Sequence, residues 1–89
     1  MKRIRPTGAF KKDLKRAAKR GLNLYKIHRL ISLLKENTPL PPTAHPHRLG
    51  GEWEGCWECH IAPDWLLIYS VTDAEVILIR TGTHADLFE

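Results

Sequence analysis

The residues of this chain that can move protons or hold ions gather in its second half. Cys56-Trp57-Glu58-Cys59-His60 reads C-x-x-C-H, with His45-x-His47 upstream and Asp64, Arg80 and His84 downstream. C-x-x-C-H is the string to which haem is attached through two thioethers. On a β-strand, however, alternate side chains face opposite ways, so Cys56, Glu58 and His60 share one face while Trp57, Cys59 and Ile61 share the other. Thiols on opposite faces do not reach one macrocycle, and no partner for a second axial position stands out. A zinc site built from His45, His47, Cys56 and Cys59 meets the same objection, and its H-x-H pair is tighter than finger spacing. The cysteines read better as small, half-buried apolar residues on a sheet, so no metal and no cofactor is expected.

The histidines suit a different chemistry. His47 ends a loop, His60 lies at the end of a strand, Asp64 follows the turn Ala62-Pro63, and Arg80 and His84 flank the exit of the last strand. If the last three strands are neighbours, His60, Asp64, Arg80 and His84 converge near one end of the sheet. Imidazoles exchange protons near neutral pH, so one can accept a proton while another donates one. A carboxylate can orient an imidazole, and an arginine can neutralise a phosphate. That is the equipment of a metal-independent ribonuclease. The substrate's 2′-hydroxyl, deprotonated by a base, attacks the adjacent phosphate, an acid protonates the departing 5′-oxygen, and a cation holds the added charge.

These side chains need a scaffold, and the chain has room for one: 89 residues make a single domain, residues 1–89, burying roughly 60 to 68% of its unfolded surface. A 43% apolar and 27% charged composition is that of a globular protein rather than a disordered or membrane one. The surplus of 14 Lys+Arg over 10 Asp+Glu, a formal charge of +4, favours anionic partners. Lys2 to Arg5 suits a short edge strand. Thr7 can cap a helix with Phe10, Leu14, Ala17 and Ala18 at helical spacing and Gly21 as its stop. The other face of that helix, Lys11, Lys12, Lys15, Arg16, Lys19 and Arg20, suits a track for RNA. Asn23 can cap a second helix whose stripe Leu24, Ile27, Leu30, Ile31 and Leu34 ends near Asn37. TPLPPTAHPHRLGGEWEG, with four prolines, implies an ordered surface loop. Trp53 to Ile61, Trp65 to Thr72 and Glu75 to Arg80 read as three antiparallel strands before a short tail, His84 to Glu89. The expected architecture is α+β, a small antiparallel sheet of about four strands with a helical hairpin on one face. No apolar segment follows the basic N-terminus, and the longest apolar run, Trp65 to Tyr69, is too short to span a bilayer. We therefore expect a cytoplasmic protein with reduced thiols and no membrane partner.

At HRLGGEW, ECHIAPDWLLIY and RTGTHADLF, and more loosely at FKKDLKRAAKRG and TPLPP, the sequence resembles the YafQ-type branch of the RelE/ParE superfamily of toxins from toxin-antitoxin pairs. The resemblance implies a RelE-like fold and a ribosome-dependent endoribonuclease that cleaves mRNA in the decoding A site. It also implies control by an acidic, DinJ-like antitoxin. Carried over by position, the catalytic residues it implies are His47, His60, Asp64 and His84, with His84 as general acid, Asp64 or His60 as base and His47 assisting. Arg80 matches a phosphate-contacting arginine and Phe88 a C-terminal aromatic, while Trp65 is either a nucleotide contact or a core residue. His28 and His45 match nothing catalytic and read as surface residues. The chain departs from the family where Gly55-Cys56-Trp57 replaces Gly-Tyr-Arg, losing an arginine able to pair with phosphate. That departure motivates an alternative, a weakened module that binds antitoxin or nucleic acid without cleaving. A gyrase-directed ParE-type activity would need no acid-base pair, and the histidine set argues against it.

Overall fold

A computed structural model describes residues 1–88. Strands β1 (Arg3–Pro6), β2 (His47–Arg48), β3 (Trp57–Ala62), β4 (Trp65–Val71) and β5 (Glu75–Gly82) form one sheet in the order β1-β5-β4-β3-β2. Helices α1 (Gly8–Lys19) and α2 (Leu24–Lys35) pack on one face, and α3 (His84–Phe88) lies at the exit of β5. Two expectations are corrected here. The sheet has five strands rather than about four, and it is mixed, because β1 runs parallel to β5 while every other pair is antiparallel. The tail also contains a helical turn; its last residue, Glu89, lies outside the described residues.

Local chemistry sets the helix ends. Thr7 Oγ1 accepts from the Phe10 N–H at 3.1 Å and Asn23 Oδ1 accepts from the Tyr25 N–H at 3.0 Å, each satisfying an amide that the first turn leaves unpaired. Both helices stop in a left-handed residue, Gly21 (φ 79°) and Asn37 (φ 56°). The Leu22 and Thr38 amides then reach back to the carbonyls of Ala17 and Leu33. Phe10 and Ala17 of α1 and Ile27 and Leu30 of α2 close over Cys59, Trp65, Leu67, Tyr69, Val76 and Leu78, which is the main core. Ala18, expected on the apolar face of α1, is exposed.

The opposite face of the sheet carries a smaller cluster. Leu66, Ile68 and Leu87 are buried there, with Leu49, Trp53, Cys56 and Ile79 against them. Cys59 thus belongs to the helix face and Cys56 to the other, the alternation that argued against both a haem clamp and a zinc site. Burial pushes the Cys59 thiol up to about 12, leaving an inert group.

Two register irregularities shape the functional end of the sheet. Ile61 is the extra residue between His60 and Ala62 on β3, and Ile79 the extra one between Leu78 and Arg80 on β5. The second lets Leu78 and Thr81 both face the helices, with Ile79 and Arg80 between them. Past Leu78, β5 is no longer paired by β1, and α1 seals that edge: Thr7 Oγ1 donates to the Ile79 carbonyl at 2.8 Å and Asp13 Oδ2 accepts from the Thr81 N–H at 3.2 Å.

Candidate active site

The β3–β4 connection is only Pro63-Asp64, and antiparallel pairing brings the end of β5 to the same rim, Gly82 lying opposite Leu66. His60, Asp64 and His84 meet there. Asp64 Oδ1 accepts from the His84 ring at Nδ1 (2.8 Å) and from the His84 backbone N–H (3.1 Å). With Nδ1–H donated to the carboxylate, Nε2 is the atom left to exchange a proton. The side-chain bond from His84, followed by its backbone amide, holds the Asp64 carboxyl below its ordinary value. A carboxylate so stabilised is a poor base, and its two bonds suit it to orienting His84.

The His60 and His84 rings stand 6.3 Å apart between centroids. They belong to a longer row, in which His45 lies edge-on to His60 at 6.1 Å, Phe88 follows His84 at 6.3 Å, and Trp53 meets Phe88 at 6.4 Å. Sequence reasoning left out both ends of this row. His45, read as a surface residue, is held beside His60 by a left-handed backbone (φ 44°, ψ 58°) at the end of the helical turn Pro42–Ala44, a conformation its sequence does not announce. Trp53, read as the start of a strand, sits in a helical turn, Gly51–Trp53, and strand β3 begins only at Trp57.

Three other expected residues are placed differently. His47 pairs across the sheet with Glu58: its Nε2 lies 3.2 Å from Glu58 Oε1 and its Nδ1 3.0 Å from the His45 carbonyl oxygen. Both partners are acceptors, so the imidazolium form donates to both, and no contact joins His47 to His60 or His84. Trp65 is a core residue, 3% exposed, with Nε1–H donating to Thr81 Oγ1 at 2.9 Å. Its indole therefore presents no stacking face. Arg80 is not an isolated cation: Nε and Nη2 donate to the two carboxylate oxygens of buried Asp13 at 2.6 and 3.1 Å. Asp13, hidden in FKKDLKR as one more charge on a solvated face, was not anticipated.

The helix bearing His84 and Phe88 is fixed at its base. Thr83 Oγ1 accepts from the Asp86 N–H at 3.1 Å and Asp86 Oδ2 accepts from the Thr83 N–H at 3.0 Å, a reciprocal cap. Asp86 also takes two bonds from Arg20, at 2.7 and 3.2 Å, with Arg16 at 3.6 Å. Two of the six cations expected to form an RNA track are thus tied to the C-terminal turn. A Cβ at Gly82 would fall 2.9 Å from Asp86 Cβ and Oδ2, so only glycine lets this turn close. Arg20, then the Thr83 amide, hold the Asp86 carboxyl well below the usual carboxylate range. A carboxyl whose folded value is depressed stabilises the fold above its unfolded value, about 4, and loses that contribution as pH falls further. Between about pH 4 and pH 2, urea midpoints of the wild type should therefore fall more steeply than those of Asp86→Asn. Parallel curves would show that the Arg20 tie contributes nothing to acid sensitivity.

The chain is 45% identical to the mRNA interferase toxin YafQ of Escherichia coli K12 over 86 residues, 96% of this chain and 94% of that one. The crystal structure of YafQ from Escherichia coli BL21(DE3) superposes with a TM-score of 0.95 at 42% identity, covering 100% of both chains. YafQ in the Escherichia coli DinJ-YafQ toxin-antitoxin complex superposes at 0.92 and 43% identity, over 99% and 98% of the two chains. Residues 2–89 match the family described as the bacterial toxin of type II toxin-antitoxin systems, YafQ, and this chain belongs to that family.

Proposed function

We propose that this protein is the mRNA-cleaving toxin of a type II pair, acting in the ribosomal A site by metal-independent acid-base catalysis. The observation that carries the reading is the His60–His84 pair, with His84 locked by Asp64 at 2.8 Å. A phosphodiester laid across the two rings meets one imidazole on the side of the attacking 2′-hydroxyl and another on the side of the leaving 5′-oxygen. His60 takes the proton from the first and His84 Nε2 gives one to the second. The protein need not supply a nucleophile. Phe88, exposed and tilted against His84, offers a face to the nucleotide being released. The Arg80 nitrogen not engaged by Asp13 is the group available to a phosphate oxygen.

The substitution at Cys56-Trp57 costs less than the sequence implied. Arg48, next in the chain to His47, lies 5.4 Å over the Trp57 ring and returns a guanidinium to that part of the surface. The exposed lysines of α1 remain for an acidic partner or for ribosomal RNA. The cognate antitoxin, acidic and DinJ-like in this reading, covers that basic surface in the inactive pair.

The test is a reconstituted translation reaction with ribosomes stalled on a defined mRNA, in which 5′ ends are mapped by primer extension with and without a chelator that spares ribosome integrity. Cuts confined to the A-site codon and insensitive to the chelator are expected. Equal cutting of naked mRNA, or none on stalled ribosomes, would count against the reading.

A further inference from the structure

Away from α3, the ring row does not end at a flat surface. Beyond His60 the chain opens a groove between α2 and the Pro-rich loop, made of two adjoining cavities of about 410 and 210 Å³. They share Lys26, Thr43, His60 and Ile61. The first adds His45 on its wall; the second adds Arg29 on its rim and Leu30 and Ala44 at its floor. Among the described residues, no aspartate or glutamate lines either cavity. The groove is therefore apolar below, cationic at the lip, and walled by an imidazole at its mouth.

We propose that this groove seats the nucleotide that carries the attacking 2′-hydroxyl, and that Lys26 and His45 set which base is accepted there. The inference rests on the ribonuclease reading above, in which His60 is the base and so lies beside that hydroxyl. A ribose placed next to His60 with its base turned away from His84 meets this groove, which His60 itself lines. A base entering the groove meets the His45 imidazole in the first cavity and the apolar floor in the second, where stacking tolerates any base and edge contacts discriminate among them. Lys26 and Arg29, both exposed, neutralise the phosphate on the 5′ side.

The left-handed backbone of His45 gives the assignment a second support. A non-glycine residue in that region is held at a cost, and such positions gather where a side chain must be aimed. Here the aim is twofold: the ring is set edge-on to His60, and the carbonyl of the same residue accepts from His47 Nδ1 at 3.0 Å. An acidic antitoxin segment also suits a cationic lip. The ring wall and the junction with His60 favour RNA.

The experiment uses the whole protein as wild type, Lys26→Ala and His45→Asn, the asparagine being tolerant of the left-handed backbone. Two quantities are read: cleavage on stalled ribosomes carrying mRNAs randomised at the A-site codon, and binding of a short RNA made uncleavable by a 2′-deoxy substitution at the scissile nucleotide. Each variant should lose about tenfold in kcat/KM and in affinity for the uncleavable RNA, the scale of one stacked base or one phosphate contact. His45→Asn should also flatten the preference at the nucleotide 5′ to the cut. Wild-type cleavage with unchanged rate, affinity and base profile in both variants overturns the groove and leaves the ribonuclease reading standing. A wild type that fails to cut overturns that reading, and the groove is then judged by the binding measurement alone. Variants that keep cleavage and RNA affinity but lose grip on the antitoxin assign the groove to the protein partner and overturn the proposal.

Discussion

Replacing His84 by alanine lowers the rate of cleavage by at least about a hundredfold, the lower bound for losing a positioned proton donor, while the urea midpoint stays close to that of the wild type. The two halves of the result have separate causes. The His84 side chain is 53% exposed and that of Asp64 66%, so their removal or separation leaves no buried charge. In the proposed mechanism the chemistry suffers because Asp64, bonded to Nδ1, leaves Nε2 of His84 as the atom that protonates the departing oxygen. A substrate with sulfur in place of the 5′-leaving oxygen needs no such donor, because a thiolate leaves unprotonated. Against that substrate the His84→Ala variant should recover most of its lost rate. Activity within threefold of wild type on the ordinary substrate, or no recovery on the sulfur one, removes His84 from the role of acid.

The largest effect on stability is expected at Asp13. Its side chain is 2% exposed and accepts from Arg80 Nε, Arg80 Nη2 and the Thr81 amide. Asp13→Ala strands the Thr81 N–H, which is costly in a buried place, and unpairs Arg80, which is 27% exposed and partly regains water. The expected loss is about 3 kcal/mol in urea unfolding, at the low end for breaking a buried ion pair. A loss under about 1 kcal/mol would mean that water replaces the carboxylate easily. This pairing affects how Arg80 variants are read. Removing Arg80 leaves Asp13 buried without its cation, so a drop in activity reports on phosphate contact only after the change in stability has been measured.

The parts of the molecule legible in sequence are those written in local chemistry. Thr7, Gly21, Asn23 and Asn37 mark the helix ends because each satisfies or releases specific amides and carbonyls. The apolar stripes of the helices and the runs of β4 and β5 mark the core for the same kind of reason. His60, Asp64, Arg80 and His84 are expected near one end of the sheet if the last three strands are neighbours, and the pairing of β3, β4 and β5 meets that condition. What stayed hidden depends on contacts distant in sequence. The partner of β1 is 72 residues away and could be any free edge. Asp13 looks like its lysine neighbours until the bulge at Ile79 turns Arg80 toward it. His45 looks like an ordinary loop residue because a left-handed φ in a residue other than glycine leaves no mark in composition. The sequence offered Trp65 two roles, and the hydrogen bond to Thr81 decides for the core.

The parallel pairing of β1 with β5 has a bearing on when this protein becomes dangerous. The strand that opens the chain is completed only by residues 75–78, and the acid at position 13 only by residues 80 and 81. Loops that long close slowly and reward the chain only at the end. A growing polypeptide still lacking β5 and α3 has neither its outer strand, nor the clasp on α1, nor the histidine at position 84. In the proposed mechanism a nascent chain without position 84 has no acid for cleavage, so the order of assembly holds activity back until β5 and α3 are in place.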